Sequence, residues 1–147
     1  MMLVEFSVMS QNDGFRQLLH FSIPAESEAV GPVADAISET LSKRGVPEQK
    51  LLEISLAVQE ALVNAVVHGC KGDRSKNVTC DVQCDEESRI VIVVRDPGPG
   101  FSAESISDPK KDENLHADHG RGVYLIRQLM DEVQFERNGS EIRMWKF

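Results

Sequence analysis

The segment Arg89-Ile-Val-Ile-Val-Val-Arg95 constrains this chain more than any other. An apolar run that dense reads as a central strand covered on at least one face. A central strand needs neighbours, and residues 77–84 supply one of them. Residues 133–137 and 141–147 form a hairpin around Asn138-Gly139-Ser140, and residues 2–10 and 15–23 form another around Gln11-Asn12-Asp13-Gly14. Pro24 closes that leading unit.

Helical spacing fills the space between. From Glu28 to Arg44, apolar residues fall at Val30, Val33, Ile37 and Leu41, and Gly45 is a natural stop. Pro47 suits the first turn of a second helix running to about His68, ended by Gly69. Its core stripe is expected at Leu51, Ile54, Val58, Ala61 or Leu62, and Ala65. Residues 97–119 carry prolines, glycines and many charges, and a loop that long is uncommon unless it is functional or disordered. A short helix over residues 122–131 follows, with Val123, Ile126, Leu129 and Met130 inward. The order β-β-α-α-β-β-loop-α-β-β predicts an α+β fold, a two-layer α/β sandwich with helices on one face of a mixed, mostly antiparallel sheet. At 147 residues a single domain spanning 1–147 is expected.

Charge narrows the partners. Acidic side chains outnumber basic ones 24 to 16, a formal charge of −8, which disfavours the basic stripe that nucleic acid requires. No direct nucleic-acid contact is expected, and any role in transcription would run through another protein. No run approaches the length of a membrane span, and the N-terminal residues lack a basic region followed by a long apolar stretch. Cys70, Cys80 and Cys84 form no CxxC pair and read as core or half-buried thiols. A reducing cytoplasm fits them, with no membrane association.

Three segments carry chemistry. Glu60, Asn64 and His68 stand at i, i+4 and i+8, so they share one helix face. That face also includes Glu53 and Ala57, roughly opposite the apolar stripe. A solvated face is the plain reading of such a glutamate, but Asn64 is a weak helix former in an alanine, leucine and valine run and needs a reason. Asp96 follows the apolar strand and precedes Pro97-Gly98-Pro99-Gly100, where an aspartate can simply start a turn. Gly120-Arg121-Gly122 leads into the last helix, and glycines at a helix start leave backbone N–H groups approachable by an anion. Arg121 could add charge there or point to solvent. His116 and His119, with nearby acids, could form a metal pair, although a polar, mobile lid is the simpler reading.

In this order and spacing the segments resemble the N-box and the two glycine boxes of the GHKL (Bergerat-fold) ATPases. The wording is similar to that of the bacterial anti-sigma factor serine/threonine kinases, over nearly the whole chain and most sharply from Leu56 to Val133. The resemblance implies ATP and Mg²⁺ as cofactors. It implies Glu60 as general base for an attacking hydroxyl and Asn64 as the magnesium ligand. Asp96 would accept a hydrogen bond from the adenine amino group, an edge where guanine presents an acceptor instead. Gly98, Gly100, Gly120, Arg121 and Gly122 would shape the nucleotide loop. The implied partners are a small STAS-type antagonist protein and a sigma factor. A homodimer is also suggested, with the leading hairpin as its candidate edge. Some members carry an arginine shortly before the last glycine box, where this chain has Asp118 and His119. That departure motivates a second reading, an ATP-gated protein-binding module with little or no phosphoryl transfer.

Overall fold

The computed structural model describes residues 14–98 and 118–147. The expected strand over 2–10 lies outside them, as do Gly100 and His116. The elements are β1 (Arg16–Pro24), a 3₁₀ turn (Ser27–Ala29), α1 (Val30–Lys43), α2 (Glu48–Asn64), β2 (Asn77–Cys84), β3 (Ile90–Arg95), α3 (Asp118–Leu129), β4 (Glu132–Glu136) and β5 (Glu141–Lys146). The described strands form one sheet in the order β1-β2-β3-β5-β4, antiparallel at every ladder. The apolar run is therefore the central strand expected of it, flanked by β2 and β5.

Alternation divides that sheet into two faces. Ile90, Ile92 and Val94 point into the main core with Val78, Cys80, Val82, Ile142 and Met144. The helices cover this face, with α2 packed between α1 and α3. On the other face, Val91 and Val93 bury against Phe15 with Trp145 partly covering them. Beside that patch a polar ladder crosses four strands. His20 meets Asp81 at 2.6 Å, Arg95 reaches Asp81 at 4.0 Å and also pairs with Glu141, and Arg143 Nε donates to Glu141 at 2.8 Å. Both faces of β3 are thus covered or paired, which is why its sequence does not alternate.

The helix ends follow from local chemistry. Gly45 sits at φ +88°, its N–H bonds to Ser42 O at 3.0 Å, and Val46 N–H bonds to Leu41 O at 3.1 Å. Those two bonds make a Schellman stop for α1. Pro47 lies just outside α2 in an extended conformation, one position earlier than expected. At its far end α2 continues into a π-helical turn, Ala65–Gly69, closed by Cys70 N–H to Ala65 O at 2.8 Å. Lys146 ties the layers together: its ammonium donates to Leu129 O at the end of α3 and lies 3.0 Å from Glu53 of α2. A cation there suits the carbonyl end of a helix.

Two expectations change. The face of α2 opposite the core is not the one carrying Glu60 and Asn64. Ala57, placed on that face, is fully buried. The outward face instead shows Leu52, Leu56, Val63 and Val67, so the polar residues lie on the flank between core and solvent. The second change concerns length. Glu48–Gly69 reaches 22 residues with a window of mean hydropathy 1.3, long and apolar enough by composition to cross a membrane. Its inner side, including Ile54, Val58, Ala61 and Leu62, is spent on the core against the sheet.

Candidate functional site

The site forms where four chain segments converge at one end of the helix layer. Asn64 closes the last α-helical turn of α2, Asp96 follows β3, Gly122 and Val123 lie on α3, and Ser140 precedes β5. The hairpin pulls Asp96 into place, because Asp96 N–H donates to Ser140 O at 2.9 Å. That bond extends the β3–β5 ladder by one residue beyond the pair Arg95 and Glu141.

Asp96 is half-buried, and one carboxylate oxygen accepts from Gly98 N–H at 2.8 Å. Burial pushes its carboxyl above the usual aspartate range. The bond from Gly98 and the charges of Arg137 and Lys76 only partly offset that effect. The carboxylate lies directly against backbone. A methyl group on Gly69 would sit 2.2 Å from Asp96 Cγ, and one on Gly98 would sit 2.2 Å from Gly69 O. No side chain fits at either position. Gly69, read from sequence only as a helix stop, is therefore part of the site, and its need is close approach rather than an unusual φ.

Around Asp96 the walls are apolar. Ala61, Ala65, Val94, Val123, Ile126, Phe135 and Ile142 line a small cavity together with Asn64, Gly69, Gly139 and Ser140. Its volume is about 30 Å³. A carboxylate acceptor at the base of an apolar slot fits a flat heteroaromatic ring with one exocyclic N–H donor. Cys70 is buried and free, its thiol pushed up by burial and then by the charge of Asp96, so it behaves as a core residue.

A second opening lies on the other flank of Asn64. Glu60, Val63, Asn64, Val67, His68, Arg121, Gly122 and Leu125 line an open groove of about 400 Å³. Asn64 borders both spaces. Its side-chain carbonyl is an oxygen donor of the kind a hard divalent cation accepts. Among the described residues no cluster of three His, Cys, Asp or Glu could hold a metal by itself.

The last glycine box sits differently from expectation. The helix α3 already includes Asp118, so Gly120 lies in its first turn and Gly122 in its second, not ahead of it. Gly122 has another purpose. A methyl there would come 2.9 Å from Glu60 Oε2 and 2.9 Å from Asn64 Nδ2, so the missing side chain lets α3 seat against both polar ends. Arg121 is exposed and lines the groove. Of the predicted residues, Glu60, Asn64, Asp96, Gly98, Arg121 and Gly122 come together here. Gly100 is outside the described residues, and Gly120 is described only as backbone.

Comparison with known proteins identifies the family. The family described as "Histidine kinase-like ATPase domain" matches residues 23–146. Two bacterial proteins named "Serine-protein kinase RsbW" are similar. That of Bacillus pumilus (strain SAFR-032) is 32% identical, covering 88% of this chain and 85% of the relative. That of Staphylococcus aureus (strain JH9) is 31% identical, covering 88% and 86%. Among solved structures, the histidine kinase domain of the Erythrobacter litoralis EL346 blue-light activated histidine kinase superposes with a TM-score of 0.55. It is 19% identical and supports the fold alone; the match covers 95% of this chain and 65% of that one, less than two thirds of its length. On these matches and this fold, the chain belongs to the GHKL-type histidine kinase-like ATPase domains and, among them, to the family of the RsbW serine-protein kinases.

Proposed function

We propose that this protein is an ATP- and Mg²⁺-dependent serine/threonine protein kinase and anti-sigma factor that phosphorylates a small STAS-type antagonist protein. The observation that carries the reading is the position of Asn64 and Glu60. They occupy one flank of α2, Asn64 bordering both the apolar slot and the open groove, Glu60 opening on the groove. Adenine would lie in the slot with its amino group donating to Asp96. Asn64 would be the protein's ligand to Mg²⁺, whose chemistry is to neutralise charge on the transferring phosphoryl. Glu60 would take the proton of the acceptor hydroxyl as its oxygen bonds to the γ-phosphorus and ADP departs. Phosphorylation of the antagonist would free the kinase to hold a sigma factor, so transcription would be controlled by sequestration.

The test uses γ-labelled ATP, Mg²⁺ and each purified STAS-domain protein of the source organism, with Glu60→Ala alongside. Label on one acceptor, lost by more than 100-fold in Glu60→Ala, is the expected result. Full transfer by that variant would remove Glu60 from the base role. A second reading has its own observation: α3 rests against Glu60 and Asn64 at Gly122 and so covers part of the catalytic flank. ATP-dependent binding of the acceptor without label would make the protein a nucleotide-gated binding module.

A further inference from the structure

The outward face of α2 is apolar where the exposed face of a helix is ordinarily polar. Leu52, Leu56, Val63 and Val67 recur there at helical spacing, 56%, 41%, 39% and 45% exposed. Single exposed apolar residues need no explanation, but their recurrence along one helix face does. This set leads into the open groove, where Val63 and Val67 are joined across the gap by Leu125 of α3, 38% exposed. The same groove holds the Glu60 carboxylate.

We propose that Val63, Val67 and Leu125 select the acceptor: they receive an apolar side chain within two residues of the serine or threonine that is phosphorylated. The inference rests on the kinase reading, because that reading brings the acceptor hydroxyl to Glu60. Spacing carries the rest. Val63 lies three residues from Glu60, which places the two Cβ atoms about 5–6 Å apart on a helix surface. In an extended acceptor segment, side chains on the same side recur every two residues, roughly 6.5–7 Å along the strand. A hydroxyl held at Glu60 therefore brings a neighbouring side chain over Val63, with Val67 and Leu125 as the further wall. Asn64 borders both the groove and the slot, so donor and acceptor would meet from opposite sides of one residue.

The deciding experiment measures steady-state transfer to the STAS-domain acceptor by wild type, Val63→Asp, Val67→Asp and Val67→Ile, with ATP affinity and thermal unfolding recorded on each. Both aspartate variants sit at exposed positions and should melt like wild type. The expected outcome is a tenfold or greater rise in acceptor KM in each, with kcat and ATP affinity within about twofold in Val67→Asp, and the wild-type acceptor KM in Val67→Ile. The mirror change, an aspartate in place of the acceptor's own apolar neighbour, should raise KM similarly. An unchanged KM in both aspartate variants against an active wild type overturns this inference alone. Variants that alter the kinase's sedimentation state but not the acceptor KM also overturn it, and assign the patch to a second copy of the chain. No transfer by wild type with ATP bound removes the kinase reading, and this inference with it.

Discussion

Asp96 and Glu141 are two carboxylates held by neighbouring rungs of one ladder, yet their surroundings push them in opposite directions. Glu141 pairs with Arg95 across the β3–β5 register and accepts a second bond from Arg143. Burial pushes its carboxyl up, but the two guanidinium groups outweigh burial and hold it below the usual range. Asp96, one residue past Arg95, has one backbone donor from Gly98 and an apolar slot around it, and its carboxyl is raised. A structural carboxylate is given enough donors to satisfy it, whereas a binding carboxylate is left with acceptor capacity for something outside the chain. The outer face of the sheet carries the saturated carboxylate, and the helix-covered end carries the one that the proposed function assigns to a ligand.

The largest effect should come from Gly69→Ala. Its methyl would overlap the Asp96 carboxylate at 2.2–2.6 Å, so the Asp96 side chain, the π turn or β3 must shift. Loss of measurable ATP binding, with roughly 1–3 kcal/mol of stability lost, is expected by titration and denaturant unfolding. Wild-type ATP affinity in this variant would mean that the slot around Asp96 is not the adenine site.

Next in size, Asp96→Asn and Glu141→Gln should part ways. Replacing an ionised acceptor should weaken ATP binding by about 1.5–3 kcal/mol, or roughly 10- to 100-fold, while stability stays level or rises. Glu141→Gln leaves Arg95 and Arg143 short of a counter-charge and should cost about 1–3 kcal/mol of stability with ATP affinity intact. If both variants behaved alike in calorimetry and unfolding, the contrast between the two carboxylates would fail.

Acid sharpens the same comparison. Glu141 has a folded pKa below its unfolded value of 4.5, so its stability contribution is complete above that value and is lost as pH falls through the folded pKa. Asp96 has a folded pKa above 3.8, so its proton favours the folded state. That contribution is complete below 3.8 and disappears as pH rises through the raised pKa. Lowering the pH should therefore weaken ATP binding through Asp96 before it unfolds the protein through Glu141. The dependence on Asp96 is isolated by subtracting the profile of Asp96→Asn, which has no carboxylate to protonate there.

Gly122→Ala should have the smallest effect on stability. Alanine favours a helix interior by about 0.8–1 kcal/mol over glycine. The contacts at 2.9 Å involve the movable ends of Glu60 and Asn64, so the two effects nearly cancel in a melt. Turnover should still fall about tenfold or more, because those ends are displaced. A variant that melts higher and turns over normally would show that the close seat of α3 is incidental.

Much of this was legible along the chain. The dense run Ile90–Val94 announced a central strand, because five consecutive apolar residues leave no polar face to give to water. The hairpin residues Asn138 and Gly139 adopt positive φ, as that turn requires. Asn64 is a weak helix former inside an apolar helical run, and Asp96 is an acid at a strand end, so both are legible as candidates from local sequence. The face of α2 is not legible from spacing, because Ala57 is small enough to suit either side of a helix. Only its neighbours decide that. From sequence the start of α3 reads late, because two glycines in its first turns look like breakers.

The sequence by itself determined the periodicities, the strand and helix order, and the residue types able to accept a purine donor or ligate a hard cation. These are properties of neighbours within a few positions, set by backbone geometry and side-chain chemistry. Tertiary structure alone decided that Gly69 must yield its side chain to Asp96, that Gly122 must yield its own to Glu60 and Asn64, and that Asn64 borders two spaces. Those pairs lie 27 to 62 positions apart along the chain. Close packing, not local preference, sets what each can be, because steric exclusion acts on distance in space and leaves no trace in spacing along the sequence.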